Sequence, residues 1–407
     1  MTLGYNEEWI ERRMQSIAIR TQLTGGMDSS HEKRKLSCLS SRAKMNTYFF
    51  VAPYFVFYFF IPHFFVDICV MYYRRKIILA LLQSFEGELE KIRLQKLLFL
   101  LTKRQEKAEY DFVPYKYGCF SYSANADLTA MVNKGMLSET ESYFKIAEPV
   151  DYIQQLRPQD RQLLGTIRRL YGDMNASALM KHTYVNFPYW AINSLKAEAL
   201  LSKTEFENVQ SSRPKSDRIV LFSIGYEGIS LEEYLNRLLR NDVKLLVDVR
   251  NNPLSMKYGF SKTQLQRFCE GLGIAYMHFP DVGIQSEQRQ ELHSQRDYDQ
   301  LFAKYRQTTL KETISTQQTI LALLKKHQRI ALTCFEANIC QCHRKHLAES
   351  ITQLPDFTYE VKVTIQPPSA AKKKIKGLKE LLFLNYADRQ RANRRPQRSI
   401  IKCPGSD

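Results

Sequence analysis

The stretch RIVLFSIGYEGISLEEYLNRLLRNDVKLLVDVRNNP, Arg218 to Pro253, decides the fold. It opens with an apolar run that ends in a glycine turn. SLEEYLNRLLR follows with apolar residues at helical spacing and Ser230 as its N-cap. VKLLVDVR is then a second buried run of strand length. Strand, helix and strand in this order predict a parallel βαβ unit. The pattern continues downstream. SKTQLQRFCEGLGI reads as a helix capped by Ser261 and closed near Gly271, and AYMHFP as a short strand. A helical stretch reaches from about Tyr298 to His327, RIALTCFE is another strand and CHRKHLAESI another helix. The fold class is therefore α/β, a parallel sheet with helices on both faces, over residues 219–366.

Open sheets of this kind bind ligands beyond the carboxyl ends of their strands. That rule gathers Gly225, Tyr226 and Glu227 after the first strand, Asp248 and Arg250 after the second, and Asp281 after the third. Cys334 and Glu336 follow the fourth, and Cys342, His343 and Arg344 open the last helix with its free amides and positive dipole end. Phosphate or another anion suits such a corner. Asp248 or Glu336 would act as acid or base there, and Arg250 and Arg344 as clamps. A structural ion pair between Asp248 and Arg250 is the competing reading.

Three cysteines and two histidines crowd into CFEANICQCHRKH, Cys334 to His346. Zinc favours Cys-x2-4-Cys pairs, whereas here the spacing is Cys-x5-Cys-x-Cys-His, and the adjacent Cys342 and His343 are poor partners for one ion. No metal and no cofactor are expected. A nucleophilic Cys334 needs a lowered pKa, which a helix start, His343 or Arg344 can supply. It follows a strand, as the active cysteine does in rhodanese-like and phosphatase folds, and VDVR is similar to a rhodanese strand. Those enzymes close a Cys-x4-5 loop round their anion, but Arg344 lies ten residues after Cys334. Cys334 as a small buried residue at a strand end is the remaining reading.

Upstream, residues 71–203 form a second unit. Ile77, Ile78, Leu81, Leu82 and Phe85, then Leu94, Leu97, Leu98 and Leu101, recur at helical spacing, with a break at Gly87. Pro114 and Gly118 punctuate an extended piece, Ser123 is placed to cap the next helix, and Gly135 ends it. Short helices leading into extended segments suggest a mainly helical, winged-helix-like N-terminal domain. LQKLLFLL, FVPYKYGCFS and LYGDMNASALMKHTYVNFPYWAINS resemble the SocA-like antitoxin module, also called Panacea. The resemblance implies an interaction or regulatory role; His182 and Trp190, which sit where that module carries related residues, read as a packed helix–helix contact. TEFENVQSSRPKSDR, residues 204–218, reads as a linker.

SIGYEG, LLVDVRNNPLSMKYGFSK, GIAYMHFPDVGIQSEQRQEL and LTCFEANICQCHRKHLAE resemble the bacterial domain-of-unknown-function family 488 over residues 217–355. That resemblance implies a Rossmann-like fold with a polar cleft. Its pattern covers Gly225, Tyr226, Asp248, Arg250, Pro253, Ser255, Phe260, Ser261, Cys334, Glu336, Cys342, His343 and Arg344, and leaves out Cys340. The expectation is a protein that binds a phosphate-bearing ligand, either a nucleotide or nucleic acid, with catalysis on that ligand left open. Asp248, Glu336, Cys334 and His343 are the catalytic candidates, and Gly225, Tyr226, Arg250, Ser255, Ser261, Cys342 and Arg344 the ligand-binding ones. The alternative is a non-catalytic, antitoxin-like regulator that meets a protein or DNA through residues 71–203.

Composition bounds the rest. At 407 residues, 44% hydrophobic and 25% charged, the chain is long enough for two or three domains. Eight scattered cysteines argue for a reduced, cytoplasmic compartment over a disulfide-built one. Of the net charge of +17, about half comes from Lys372 to Lys402, where eleven basic residues face Glu380 and Asp388. The segment 367–407 is thus a basic tail, solvated or in contact with nucleic-acid phosphates. Residues 1–70 form an N-terminal extension whose apolar run, Tyr48 to Val66, has bilayer length but carries Pro53 and Pro62. Three readings stand: a single-pass anchor with a membrane partner, an arm packed on another protein, or a region upstream of a true start at Met71. The last is preferred.

Overall fold

The computed structural model describes residues 71–362 apart from 149, 290, 291 and 293. The extension 1–70, with the apolar segment 48–66, and the basic tail 367–407 lie outside the described residues. Among the described residues no helix is long and apolar enough to cross a membrane.

Residues 71–146 run as α1 (Tyr73–Gln83), β1 (Glu88–Glu90), α2 (Lys91–Thr102), β2 (Val113–Tyr115), β3 (Gly118–Phe120), α3 (Tyr122–Asn133), β4 (Leu137–Glu139) and β5 (Tyr143–Ile146). The apolar residues read at helical spacing in α1 and α2 are buried, and so are Leu79, Phe99 and Leu100 between them. These helices lie inside the module, not on its surface. β5 pairs antiparallel with both β1 and β4, while β2 and β3 form a separate hairpin. Gly118 turns that hairpin at φ +83°, and a Cβ there would stand 2.4 Å from the Tyr184 ring. Glycine is required on both counts. Ser121, not Ser123, caps α3 by accepting from the Ala124 amide at 3.2 Å. Ser123 bonds instead to Glu232, far along the chain in the α/β part.

Four helices follow: α4 (Pro158–Tyr171), α5 (Ala176–Asn186), α6 (Ala197–Leu200) and α7 (Lys203–Ser211). The stretch read as a linker is thus helical in its first half, where Ser202 and Glu205 form a capping box. Trp190 packs edge-on against Phe99, and His182 lies 5.1 Å from the Tyr171 ring.

The C-terminal domain runs β6 (Val220–Gly225), α8 (Leu231–Arg240), β7 (Leu245–Asp248), α9 (Lys262–Glu270), β8 (Ala275–His278), α10 (Gln295–Gln307), α11 (Thr309–Glu312), α12 (Ile314–His327), β9 (Arg329–Cys334), α13 (His343–Thr352) and β10 (Glu360–Lys362). The helix expected from Tyr298 to His327 is broken in three, because Thr308, at φ −110°, ψ −86°, and Thr313, at φ −105°, ψ 27°, leave helical geometry. Every strand pair of the five-stranded sheet is parallel, in the order β10-β6-β9-β7-β8. β6 and β9 are central and read as unbroken apolar runs because both faces are covered. Phe222, Ile224 and Leu246 pack with α8 and α9 on one face, and Leu221, Val247 and Leu332 with α12 and α13 on the other. The connection from β6 crosses over β9 to reach β7, and the one from β9 crosses over β6 to reach β10. The chain therefore diverges above the neighbouring carboxyl ends of β6 and β9, the switch point at which such sheets open a crevice.

The helical module and the α/β part belong to one compact unit and share a core. Val113, Tyr115, Phe120 and Tyr122 pack into the α8–α9 cluster, with Tyr122 4.4 Å from the Phe268 ring. Glu232, fully buried on α8, accepts from the Ser123 amide at 2.6 Å and from the hydroxyls of Ser123 and Ser121. One turn on, Asn236 donates to the Phe112 carbonyl and accepts from Tyr189.

Burial pushes the His182 pKa down to about 4, and Arg104 adds to the effect. The unfolded chain therefore binds a proton between pH 6.5 and about 4 that the folded chain does not. Stability should fall as pH drops through that window, by up to about 1.4 kcal/mol per pH unit. In urea titrations His182→Gln should flatten this slope, and an unchanged slope would assign the proton uptake elsewhere.

Candidate functional site

The strand register sets the site. Gly225 lies beside Cys334 and Asp248 beside Thr333, so the ends of β6, β9 and β7 are level. The residues expected at this edge are there, but in two groups on opposite faces of the sheet, because side chains alternate along each strand.

The first group lies on the α8–α9 face. Arg250 is held bidentately by Asp248, with Nε 2.9 Å from Oδ1 and Nη2 2.5 Å from Oδ2. Its Nη1 donates to the Tyr226 hydroxyl and the Phe260 carbonyl, each at 2.8 Å. Asp248 is fully buried and Arg250 only 5% exposed. Burial works against the Arg250 charge, but the hydrogen bonds to Asp248 and its charge outweigh that and leave the pKa raised. Tyr276 donates to Asp248 Oδ2 at 2.6 Å, and the Tyr226 ring stacks on Phe260 at 4.2 Å. His278 donates to the Arg250 carbonyl at 2.8 Å. This group is a closed buried network in which Asp248 spends both oxygens on protein partners.

The second group lies on the α12–α13 face. Arg344 is 1% exposed. Its Nη1 donates to Ser223 Oγ at 2.8 Å, Nη2 to the Glu336 carbonyl at 2.5 Å and Nε to Cys342 Sγ at 3.1 Å. One side chain thereby ties together β6, the loop after β9 and the cap of α13. Gly225 is required here, since a Cβ would stand 2.0 Å from the Glu336 carbonyl oxygen and 3.0 Å from Arg344 Nη2. Cys334 Sγ lies 3.8 Å from His343 Nδ1, and His343 Nε2 donates to the Val249 carbonyl at 2.9 Å. Burial pushes the Cys342 thiol well above its ordinary pKa, reinforced by Cys334 and opposed by Arg344 and His343. Burial likewise opposes the Arg344 charge, the two sulfurs favour it, and the balance is upward.

Ser255 and Ser261 tie down the loop after β7. Ser261 Oγ donates to the Ser255 carbonyl at 3.1 Å and accepts from its amide at 3.2 Å, which leaves α9 without the side-chain cap expected of Ser261. Asp281 accepts from Thr316. Cys340 is exposed and stands apart from the buried sulfurs.

Sequence reasoning missed several members. Ser223 was detectable as the polar residue inside the apolar run VLFSIG. Lys257, whose Nζ donates to the Tyr226 carbonyl at 2.7 Å, and Tyr276 gave no signal beyond their types. Leu254, Met256 and Phe335 are exposed on the loops after β7 and β9 and give the polar edge apolar flanks. A separate concavity of about 350 Å³ lies in the first module. It is lined by Tyr115, Phe120, Phe144 and Lys96, whose ammonium donates to the Cys119 carbonyl at 2.9 Å.

Asp248→Ala should lower stability by about 3–5 kcal/mol, because it leaves the Arg250 charge buried and unpaired. Chemical denaturation measures this, and a loss below about 1 kcal/mol would show that water reaches the pair.

No curated protein matches the chain. The family described as Domain of unknown function DUF488 matches residues 230–351, which run from the cap of α8 to the end of α13 and carry Asp248, Arg250, Cys334, Cys342, His343 and Arg344.

Proposed function

We propose that the C-terminal domain binds a phosphate-bearing ligand, a nucleotide or nucleic acid, above the carboxyl ends of β6 and β9. The observation that carries this reading is Arg344. Its charge sits at the first turn of α13, and its hydrogen-bond partners are a hydroxyl, a carbonyl and a thiol. A guanidinium whose hydrogen-bond partners are all dipoles, with the Glu336 charge also favouring it, stands at the positive end of a ten-residue helix and favours an anion nearby. A switch point is where sheets of this kind take ligands, and the exposed Leu254, Met256 and Phe335 supply apolar flanks on which a base can rest. The thiol–imidazole group of Cys334, Cys342 and His343 is the reacting part of this site, with Glu336 beside it. Asp248 and Arg250 shape its wall from the other face of the sheet.

Residues 71–203 fit a SocA-like, winged-helix-like interaction module. The order helix–strand–helix–helix–strand–strand, with the first strand paired to the last, supports this, with the β2–β3 hairpin as an insertion. The concavity beside Lys96 favours a second reading, a non-catalytic, antitoxin-like regulator whose ligand or partner docks on that module. Free thiols at Cys119, Cys269, Cys334, Cys340 and Cys342 fit a cytoplasmic location.

Calorimetric titration with orthophosphate, nucleoside mono- and triphosphates and a short oligonucleotide tests the first reading. One class should bind, and Arg344→Lys, which keeps the charge but loses the planar fork, should weaken it by about tenfold or more. Binding that survives Arg344→Lys and disappears with Lys96→Met would move the ligand to the first module. No binding by any of these anions would end the phosphate reading.

A further inference from the structure

We propose that Cys334, Cys342 and His343 are three ligands of a site for one thiophilic divalent cation, zinc(II) above others. Their ligand atoms, two Sγ and Nδ1, lie within 4.8 Å of one another, and all three residues are buried. Zinc bonds of about 2.3 Å to sulfur and 2.0–2.1 Å to nitrogen set tetrahedral ligand separations of about 3.5–3.8 Å. Cys334 Sγ and His343 Nδ1 already stand 3.8 Å apart.

Two outer contacts point the same way. The Val249 carbonyl can only accept, so His343 carries its proton on Nε2 and presents the lone pair of Nδ1 to the sulfurs. A backbone carbonyl that fixes the tautomer is the usual outer support of a metal-bound imidazole. Arg344 Nε donates to Cys342 Sγ at 3.1 Å, the kind of N–H···S bond that stabilises a metal thiolate. Adjacent residues seldom share an ion, which is why the spacing alone argues against one. Here Cys342 is the extended N-cap, at φ −131° and ψ 134°, and His343 is the first helical residue. The backbone turns between them, and the two side chains converge.

On binding, each thiol gives its proton to solvent as its sulfur–metal bond forms. Two thiolates, zinc(II) and the Arg344 guanidinium sum to a charge of +1. Three protein ligands leave a fourth position for water or an anion, as in catalytic rather than structural zinc sites. The metal proposal deepens the phosphate reading by making that ligand an oxygen donor to the cation, but its test does not depend on that ligand.

Full-length protein, kept reduced with a phosphine and stripped by a chelator, is titrated with cobalt(II) and then zinc(II). One equivalent should give a thiolate-to-cobalt charge-transfer band that zinc abolishes. Cys334→Ser and His343→Gln should each weaken binding by at least about tenfold. Cys340→Ala should leave it unchanged. Should the variants not fold, the wild-type protein still decides, because zinc should shield Cys334 and Cys342, but not Cys340, from alkylation. Absence of the band in the wild type, a band that survives Cys334→Ser, or one that needs Cys340 would overturn the site. So would a Cys334–Cys342 disulfide that forms on mild oxidation equally fast with and without zinc.

Discussion

The carboxyl edge of the sheet depends on one buried guanidinium. Arg344 reaches from α13 to Ser223 on β6, to the Glu336 carbonyl after β9 and to the Cys342 thiol at its own cap. Withdrawing such a cation from water costs several kcal/mol unless its donors find partners. Three different segments provide them, so the loop after β9 has little freedom to lie elsewhere. The close pass of that loop over Gly225 is a consequence, since the Glu336 carbonyl occupies the space a side chain would need. Cys334, Cys342 and His343 meet because Arg344 draws the start of α13 down onto the ends of β6 and β9.

The other face of the same edge is organised on a different principle. There Asp248 and Arg250 neutralise each other, and Tyr226, Tyr276 and the Phe260 carbonyl complete the network. A closed pair of this kind fixes geometry and leaves little field outside. Arg344 has no carboxylate among its hydrogen-bond partners, and the Glu336 charge favours it from nearby. α8 extends the same logic to the first module. Leu231, Leu235 and Leu238 face the sheet, and Glu232 and Asn236, one turn apart, are buried against the chain around Phe112 and α3. Burial raises the Glu232 pKa, opposed by the bonds from Ser123 and Ser121. The module is thus fastened to the α/β domain at the amino end of α3.

Much of this was legible in the sequence. Apolar runs of strand length separated by amphipathic helices gave the α/β class, Ser230 caps α8 as its pattern predicts, and the strand-end rule gathered residues that lie along one edge. What stayed hidden is non-local. Strand order depends on which apolar face finds which partner, and only that order makes β6 and β9 neighbours and sends Asp248 and Cys334 to different faces. Glu232 and Asn236 look like the solvent side of α8 until a second domain covers them. Lys96 looks like a solvated helix residue but is 2% exposed. The convergence of Cys342 and His343 follows from the dihedral change at a helix cap, which residue spacing does not encode.

The central claim is that the ligand sits where β6 and β9 diverge, on the α13 side. A crystal structure of the protein grown with a nucleoside monophosphate tests it most directly. The account predicts the phosphate beside the first amides of α13, within reach of His343 and between the loops that carry Gly225 and Glu336. A nucleotide bound instead in the concavity beside Lys96, with the crevice filled only by solvent, would contradict it.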